Sequence, residues 1–203
     1  EICVMSTKVF SSQITWGYLL AKTVAGEGND GRKKLTKLAK DMTAYLDEKK
    51  NHTAIKKLAK HLLTKKDIFL LGKSQNLQIV NEGMVKLIEG AYKHAHAIPA
   101  GDLKHYAITL MEKGVPVIVA LSEDDTKAEV LNAVNEIRAR GAEVIGISAQ
   151  KESFDQFLPV PDTGETSALM HITPLQLLSY YLSLALGNNI DKPRNIAKSV
   201  TVK

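Results

Sequence analysis

Asp67-Ile68-Phe69-Leu70-Leu71-Gly72 is the stretch that decides the fold of this 203-residue chain. A short unbroken apolar run closed by glycine is the pattern of a strand buried on both faces, as parallel sheets require. Residues 115–121 and 143–148 repeat it, residues 157–160 give a fourth run, and residues 95–99 give a short strand between the first two. Helical spacing fills the intervals, over residues 78–94, 127–140 and 173–186. Strand alternating with helix predicts an α/β fold whose parallel sheet is covered by helices on both faces. Such sheets bind ligands outside the carboxyl ends of their strands.

Ahead of the first strand the pattern is helical. Residues 9–24 have helical spacing, which Gly26, Gly28 and Gly31 then interrupt. Over residues 32–48, Leu35, Leu38, Ala39, Met42 and Leu46 recur at three and four, the mark of an amphipathic helix. Another helix runs to residue 63, with Asn51 or Thr53 as its N-cap. Residues 26–32 are the one linker-like stretch and separate no domains, and the chain has no internal repeat.

Composition narrows the function. Apolar residues make up 44% and charged residues 24%, as in ordinary globular proteins, and the length suits one α/β domain with a sizeable core. Net charge is +5, but Lys and Arg are spread along the chain and aromatics are only 5%, so no surface for stacking nucleic-acid bases is expected. The longest apolar runs are too short to span a bilayer, and there is no signal-peptide pattern, so no membrane partner is expected. The one cysteine, Cys3, excludes an internal disulfide and fits a reducing cytoplasm. No base stands near it in sequence, so it reads as structural. His94-Ala95-His96 sets two imidazoles two residues apart with no third ligand in view, and no metal site is predicted. The opening, Glu1-Ile2-Cys3-Val4-Met5-Ser6-Thr7-Lys8, lacks an initiator Met and reads as the interior of a longer polypeptide.

Several stretches carry polar groups that chemistry can use, and each also has a plain reading. The turn Gly72-Lys73-Ser74-Gln75-Asn76 can hold an anion on free backbone N–H groups, although most strand-to-helix turns look like this. In the next helix Glu82, Lys86, Glu89 and Lys93 fall at intervals of four, three and four, so they line one narrow face, with Met84, Leu87, Ile88 and Ala91 on the other side. By itself such a stripe is a solvated face laced with ion pairs worth about 0.2–0.5 kcal/mol each. Ala100-Gly101-Asp102-Leu103-Lys104-His105 ends on a histidine that, alone, reads as a surface residue. Ser6 alone reads as a helix N-cap. Residues 191–203 carry no helical or strand period, and a polar tail of this kind is normally dispensable.

In this order, and over nearly the whole chain, these stretches resemble the glucosamine-6-phosphate synthase family, the glutamine–fructose-6-phosphate amidotransferases. Glu82-Gly83-Met84-Val85-Lys86-Leu87-Ile88-Glu89 resembles the family's E-G-x-x-K-L-x-E helix, and Ala100 to His105 its A-G-E-L-K-H-G loop. Val4-Met5-Ser6-Thr7-Lys8 resembles a V-A-S-T-K opening, with Met5 in place of alanine. Residues 170–187, with Pro174-Leu175-Gln176-Leu177-Leu178, resemble the helix before the family's C-terminal tail, and residues 191–203 resemble the tail itself.

The resemblance implies a flavodoxin-like, three-layer sugar isomerase (SIS) domain over residues 1–190, the second of two in the family, and a C-terminal active-site tail over residues 191–203. It implies a reaction of fructose 6-phosphate with glutamine-derived ammonia to give glucosamine 6-phosphate, in the cytoplasm, with no metal or organic cofactor. Glu89 matches the base that moves a proton between C1 and C2 through an enediol. Lys86 and Glu82 match residues that position and polarise the sugar, and Val4 and Ser6 match residues that contact it. His105 matches a ring-opening histidine that reaches the neighbouring subunit's site, which implies a homodimer. Lys198, flanked by Ser199 and by Ala197, itself implied as a substrate-binding residue, matches a lysine that forms a Schiff base with the open-chain sugar or lies against its carbonyl. It must be neutral to attack, and Arg194 and Lys86 are candidates to favour that form. The implied partners are the sugar phosphate and the upstream SIS and glutaminase domains of the same polypeptide; serines and threonines of the upstream SIS domain grip the phosphate. Two departures bear on sugar preference: His96 stands where glutamate is usual, and Tyr106 where glycine is usual, a source of strain if that position needs a positive φ. Two other readings stand beside this one. One is an SIS-type glucosamine-6-phosphate deaminase or isomerase without a glutaminase domain. The other is a non-catalytic sugar-phosphate-binding module, against which the joint presence of Glu89, His105 and Lys198 argues.

Overall fold

The computed structural model describes residues 2–199. Helices α1 (Thr7–Val24), α2 (Gly28–Asp47) and α3 (Lys49–Leu62) precede strand β1 (Asp67–Gly72). Then come α4 (Gln75–Ala91), β2 (His94–Pro99), two short 3-10 helices (Ala100–His105 and Ala107–Leu110) and β3 (Pro116–Ala120). The remainder is α5 (Lys127–Arg138), β4 (Glu143–Ser148), β5 (Gln156–Pro159), a 3-10 turn (Gly164–Thr166) and α6 (Ser167–Ala185).

The five apolar runs form one five-stranded sheet in the order β2-β1-β3-β4-β5, with every pairing parallel. Alternation along the strands splits the core in two. Ile68, Leu70, Ile118, Ala120, Ile145 and Ile147 pack with buried residues of α3, α4 and α6. Phe69, Leu71, Val117, Val119 and Val144 pack with α5 and the 3-10 segments. The connections leave β1 toward β2 on one side and reach β3 on the other, so the order reverses between β1 and β3.

Several boundaries differ from the sequence reading. Helix α6 begins at Ser167, ahead of residue 173, and holds Pro174 inside it. Proline favours the first turn of a helix, which makes residue 173 look like a start. Most of α6 is buried around its whole circumference, so no apolar period marks its true beginning. Helix α4 stops at Ala91 because Tyr92 adopts a left-handed conformation with φ 53°, which leaves Lys93 and His94 outside the helix. Gly28 and Gly31 belong to α2 rather than to a linker. A Cβ on Gly31 would lie 2.9 Å from Lys22 Cβ, so the glycine allows α2 to cross α1 closely. Among the described residues no helix is long and apolar enough to cross a membrane.

Candidate active site at the end of helix α4

The charged stripe of α4 is only partly solvated. Lys86 is 3% exposed, and its Nζ lies 2.7 Å from Glu82 Oε1 and 3.7 Å from Glu89 Oε2. From the neighbouring helix, Ser179 Oγ donates to the Lys86 carbonyl at 2.6 Å. Glu82 Oε1 and Glu89 Oε2 are buried without a hydrogen-bond partner, the first being close to Nζ but off the bonding direction. Burial raises the Glu82 pKa above the ordinary carboxylate value, outweighing the opposite pull of Lys86. Two carboxylates thus share one ammonium and keep lone pairs unused, which equips them to bind hydroxyls and to take up a proton. Lys93 is not part of this group. It lies past the helix end, and its Nζ donates to the carbonyls of Leu63 and Lys65 at 2.8 and 2.7 Å.

The opening segment and the tail meet at the same end of α4. A Cβ on Gly90 would lie 2.8 Å from Met5 Cε, so the extra bulk of Met5 occupies space that Gly90 leaves free. Ser6 holds the N-cap position of α1, but its side chain makes no capping bond: it sits at φ 56°, and its Oγ donates to the Val4 carbonyl at 3.1 Å. Val4 and Ser6 are half-buried. The Cys3 thiol donates to the Ile190 carbonyl at 2.8 Å, and Asn188 Nδ2 donates to the Gly90 carbonyl at 2.9 Å. Asn189 Oδ1 accepts from the backbone N–H groups of Asp191 and Lys192, both at 3.0 Å. Beyond them the backbone N–H of Arg194 donates to the Tyr92 hydroxyl at 2.8 Å, and the Arg194 guanidinium stands over the Tyr92 ring, 4.2 Å from its centroid. Ala197 and Lys198 are exposed on the tail that follows. Glu1 and the tail residues Val200 to Lys203 lie outside the described residues.

His105 is placed elsewhere. It ends the 3-10 helix that follows the carboxyl end of β2, and it is exposed. Glu89 lies about 21 Å along α4 from Gln75 at 1.5 Å per residue, on a helix that starts at the carboxyl end of β1 and runs back. The fold therefore separates Glu89 from His105 within one chain. Tyr106 has φ −151°, so the left-handed strain considered for a non-glycine residue does not arise. Its ring meets His96 edge-on, with centroids 6.3 Å apart, which brings the two departures from the family pattern into contact.

The turn after β1 uses its polar groups internally. Lys73 pairs with Glu129. Asn76 is buried; its Nδ2 donates to Ser122 Oγ at 2.8 Å and its Oδ1 lies 2.7 Å from His171 Nδ1. Burial lowers the His171 pKa to about 4, so its imidazole is neutral and Nδ1–H donates to Asn76. This network is invisible in the sequence, because its members come from α4, the loop after β3, and α6. The contacts of Tyr92 and Asn188 were likewise unread, because helical spacing continues past the true end of α4 and hides its C-cap. Among the described residues no group of three or more His, Cys, Asp or Glu is placed to hold a metal ion.

Comparison with known proteins bears on the family and the fold. The SIS domain family matches residues 61–186. The glutamine–fructose-6-phosphate aminotransferase (isomerizing) of Methanosarcina acetivorans is 39% identical over 217 residues, and that of Pyrobaculum aerophilum is 38% identical over 211. Each alignment covers all of this chain and 35% of the relative, so the chain spans about a third of the length of the curated relatives it matches. The C-terminal domain of glucosamine-fructose-6-phosphate aminotransferase from Francisella tularensis superposes with a TM-score of 0.73 at 27% identity, covering 82% of this chain and 47% of that one. A glucosamine-6-phosphate deaminase from Thermotoga maritima shares the fold, with a TM-score of 0.71 at 22% identity, covering 96% of this chain and 57% of that one. With its parallel five-stranded sheet, its flanking helices and the family match over residues 61–186, the chain belongs to the SIS domain family.

Proposed function

We propose that this chain is the isomerase unit of an enzyme that converts fructose 6-phosphate and glutamine-derived ammonia into glucosamine 6-phosphate. The observation that carries the reading is the buried Lys86 ammonium held between two half-buried carboxylates, Glu82 and Glu89. A stripe kept only for solubility has no reason to be buried, since taking charges out of water is costly. The relatives that align with the whole chain carry that activity in their names.

In this reading Glu89 is the base that moves the proton between C1 and C2. Glu82 and Lys86 bind and polarise the open-chain sugar, and Val4 and Ser6 contact it from the opening segment. Lys198 engages the C2 carbonyl from the tail and is displaced by ammonia. His105 opens the ring of a sugar bound to a second copy, which fits its separation from Glu89 in one chain. The phosphate is held mainly by an upstream SIS domain of the same polypeptide, and the ammonia comes from a glutaminase domain.

Replacing Glu89 by glutamine keeps the shape and removes the base. In the full-length polypeptide, Glu89→Gln should lower turnover by about 100-fold or more while sugar-phosphate affinity stays within about threefold, since hydrogen bonding by the amide is retained. Turnover equal to that of the parent enzyme would remove Glu89 as the base. Glutamine-independent release of ammonia from glucosamine 6-phosphate as the main activity would favour a deaminase instead.

A further inference from the structure

We infer that Tyr92 is the latch of the C-terminal tail, a positioning residue that sets where Lys198 acts; this rests on the role proposed for Lys198. Three observations converge on it. Tyr92 occupies the left-handed C-cap of α4 at φ 53° and ψ 34°, its backbone N–H donating to the Ile88 carbonyl and that of Lys93 to the Leu87 carbonyl. An L-residue other than glycine in this conformation costs roughly 1–2 kcal/mol, so the side chain has to be useful for reasons outside the helix. It is useful to the tail: its hydroxyl accepts the Arg194 backbone N–H, and its ring carries the Arg194 guanidinium. Finally, Tyr92 follows Glu89 by three residues and Arg194 precedes Lys198 by four.

That spacing limits the reach of Lys198. Four residues span at most about 14 Å when fully extended, so a tail pinned at Arg194 keeps Lys198 near the end of α4 that holds Glu89. A tail free from residue 191 onward would sample a far larger volume, and the effective concentration of Lys198 at the site would fall with it. The thiol of Cys3 and the amide of Asn188 fasten the chain just upstream, at Ile190 and Gly90. Tyr92 is the last of these fastenings before the lysine.

The test uses the full-length polypeptide with Tyr92→Gly and Tyr92→Phe. Glycine favours the left-handed cap, so Tyr92→Gly removes the latch without weakening the helix end. The expected result is threefold. Amide hydrogen exchange over residues 192–198 accelerates by about 10-fold or more in Tyr92→Gly, as loss of one hydrogen bond and one cation–π contact implies. The melting temperature does not fall, and turnover of the sugar falls by about 10-fold while the KM for glutamine is unchanged. Tyr92→Phe, which keeps the ring, falls between the two. Unchanged tail exchange in Tyr92→Gly would overturn the latch. Faster exchange with undiminished turnover would overturn its role in positioning Lys198. If the parent enzyme itself shows no sugar turnover, the proposed function fails, and the exchange measurement still decides the latch.

Discussion

Lys86 is almost fully buried between two carboxylates, and its environment fixes what its loss would do. Removing one partner of a buried ion pair leaves the other charge uncompensated, which typically costs several kcal/mol. Lys86→Met should therefore destabilise the fold by about 3 kcal/mol at pH 7, read from urea unfolding. Burial already raises the Glu82 pKa, and without Lys86 it must rise further. The penalty should shrink as pH falls and Glu82 becomes neutral, and Lys86→Met combined with Glu82→Gln should recover part of the loss. A cost below about 1 kcal/mol would mean that the group is solvated in solution. The types and spacing of these residues are plain in the sequence. Their burial is not, because the same intervals of three and four describe a wet helix face. Pairings such as Met5 against Gly90 and His96 against Tyr106 were equally hidden, since each joins residues far apart in the chain or on different elements.

At the scale of elements, α4 and α6 are tied to the loop after β3 by His171, Asn76 and Ser122. The His171 pKa is lowered to about 4 from an ordinary 6.5, burial being the cause. Between those values the unfolded chain binds the proton and the folded chain does not, so the contribution of this group to stability is present above pH 6.5 and is lost as pH falls toward 4. The loss is on the order of 3 kcal/mol. Glu82, with its raised pKa, contributes a slope of the opposite sign, so the comparison has to be made with a variant. Unfolding midpoints measured from pH 7 to pH 4 should fall less steeply for His171→Gln than for the parent chain. Parallel slopes would show that His171 is accessible to protons in the folded state. The elements themselves were legible to different degrees. All five strands were readable because each is a short apolar run, whereas α6 was half-read because a helix buried all round presents no face to detect.

For the whole molecule, the chain matches 35% of the length of its curated relatives, and the proposed phosphate site lies upstream of it. The 203 residues alone should therefore bind fructose 6-phosphate at least about 100-fold more weakly than the full polypeptide, since charge-assisted hydrogen bonds to phosphate contribute about 1.5–3 kcal/mol each. Calorimetric titration giving tight, stoichiometric binding by this chain would place the phosphate site within it. The sequence by itself determined the parallel α/β class, the number of strands and the kinds of reactive side chain, because burial on both faces and helical spacing are local patterns written along the chain. Tertiary structure alone decided that Lys86 of the α4 stripe is buried, that the opening segment and the tail meet at Gly90 and Tyr92, and that Glu89 and His105 stand apart. Those outcomes depend on contacts between residues distant in sequence, whose free energy is set by which surfaces the fold brings together and which it keeps apart.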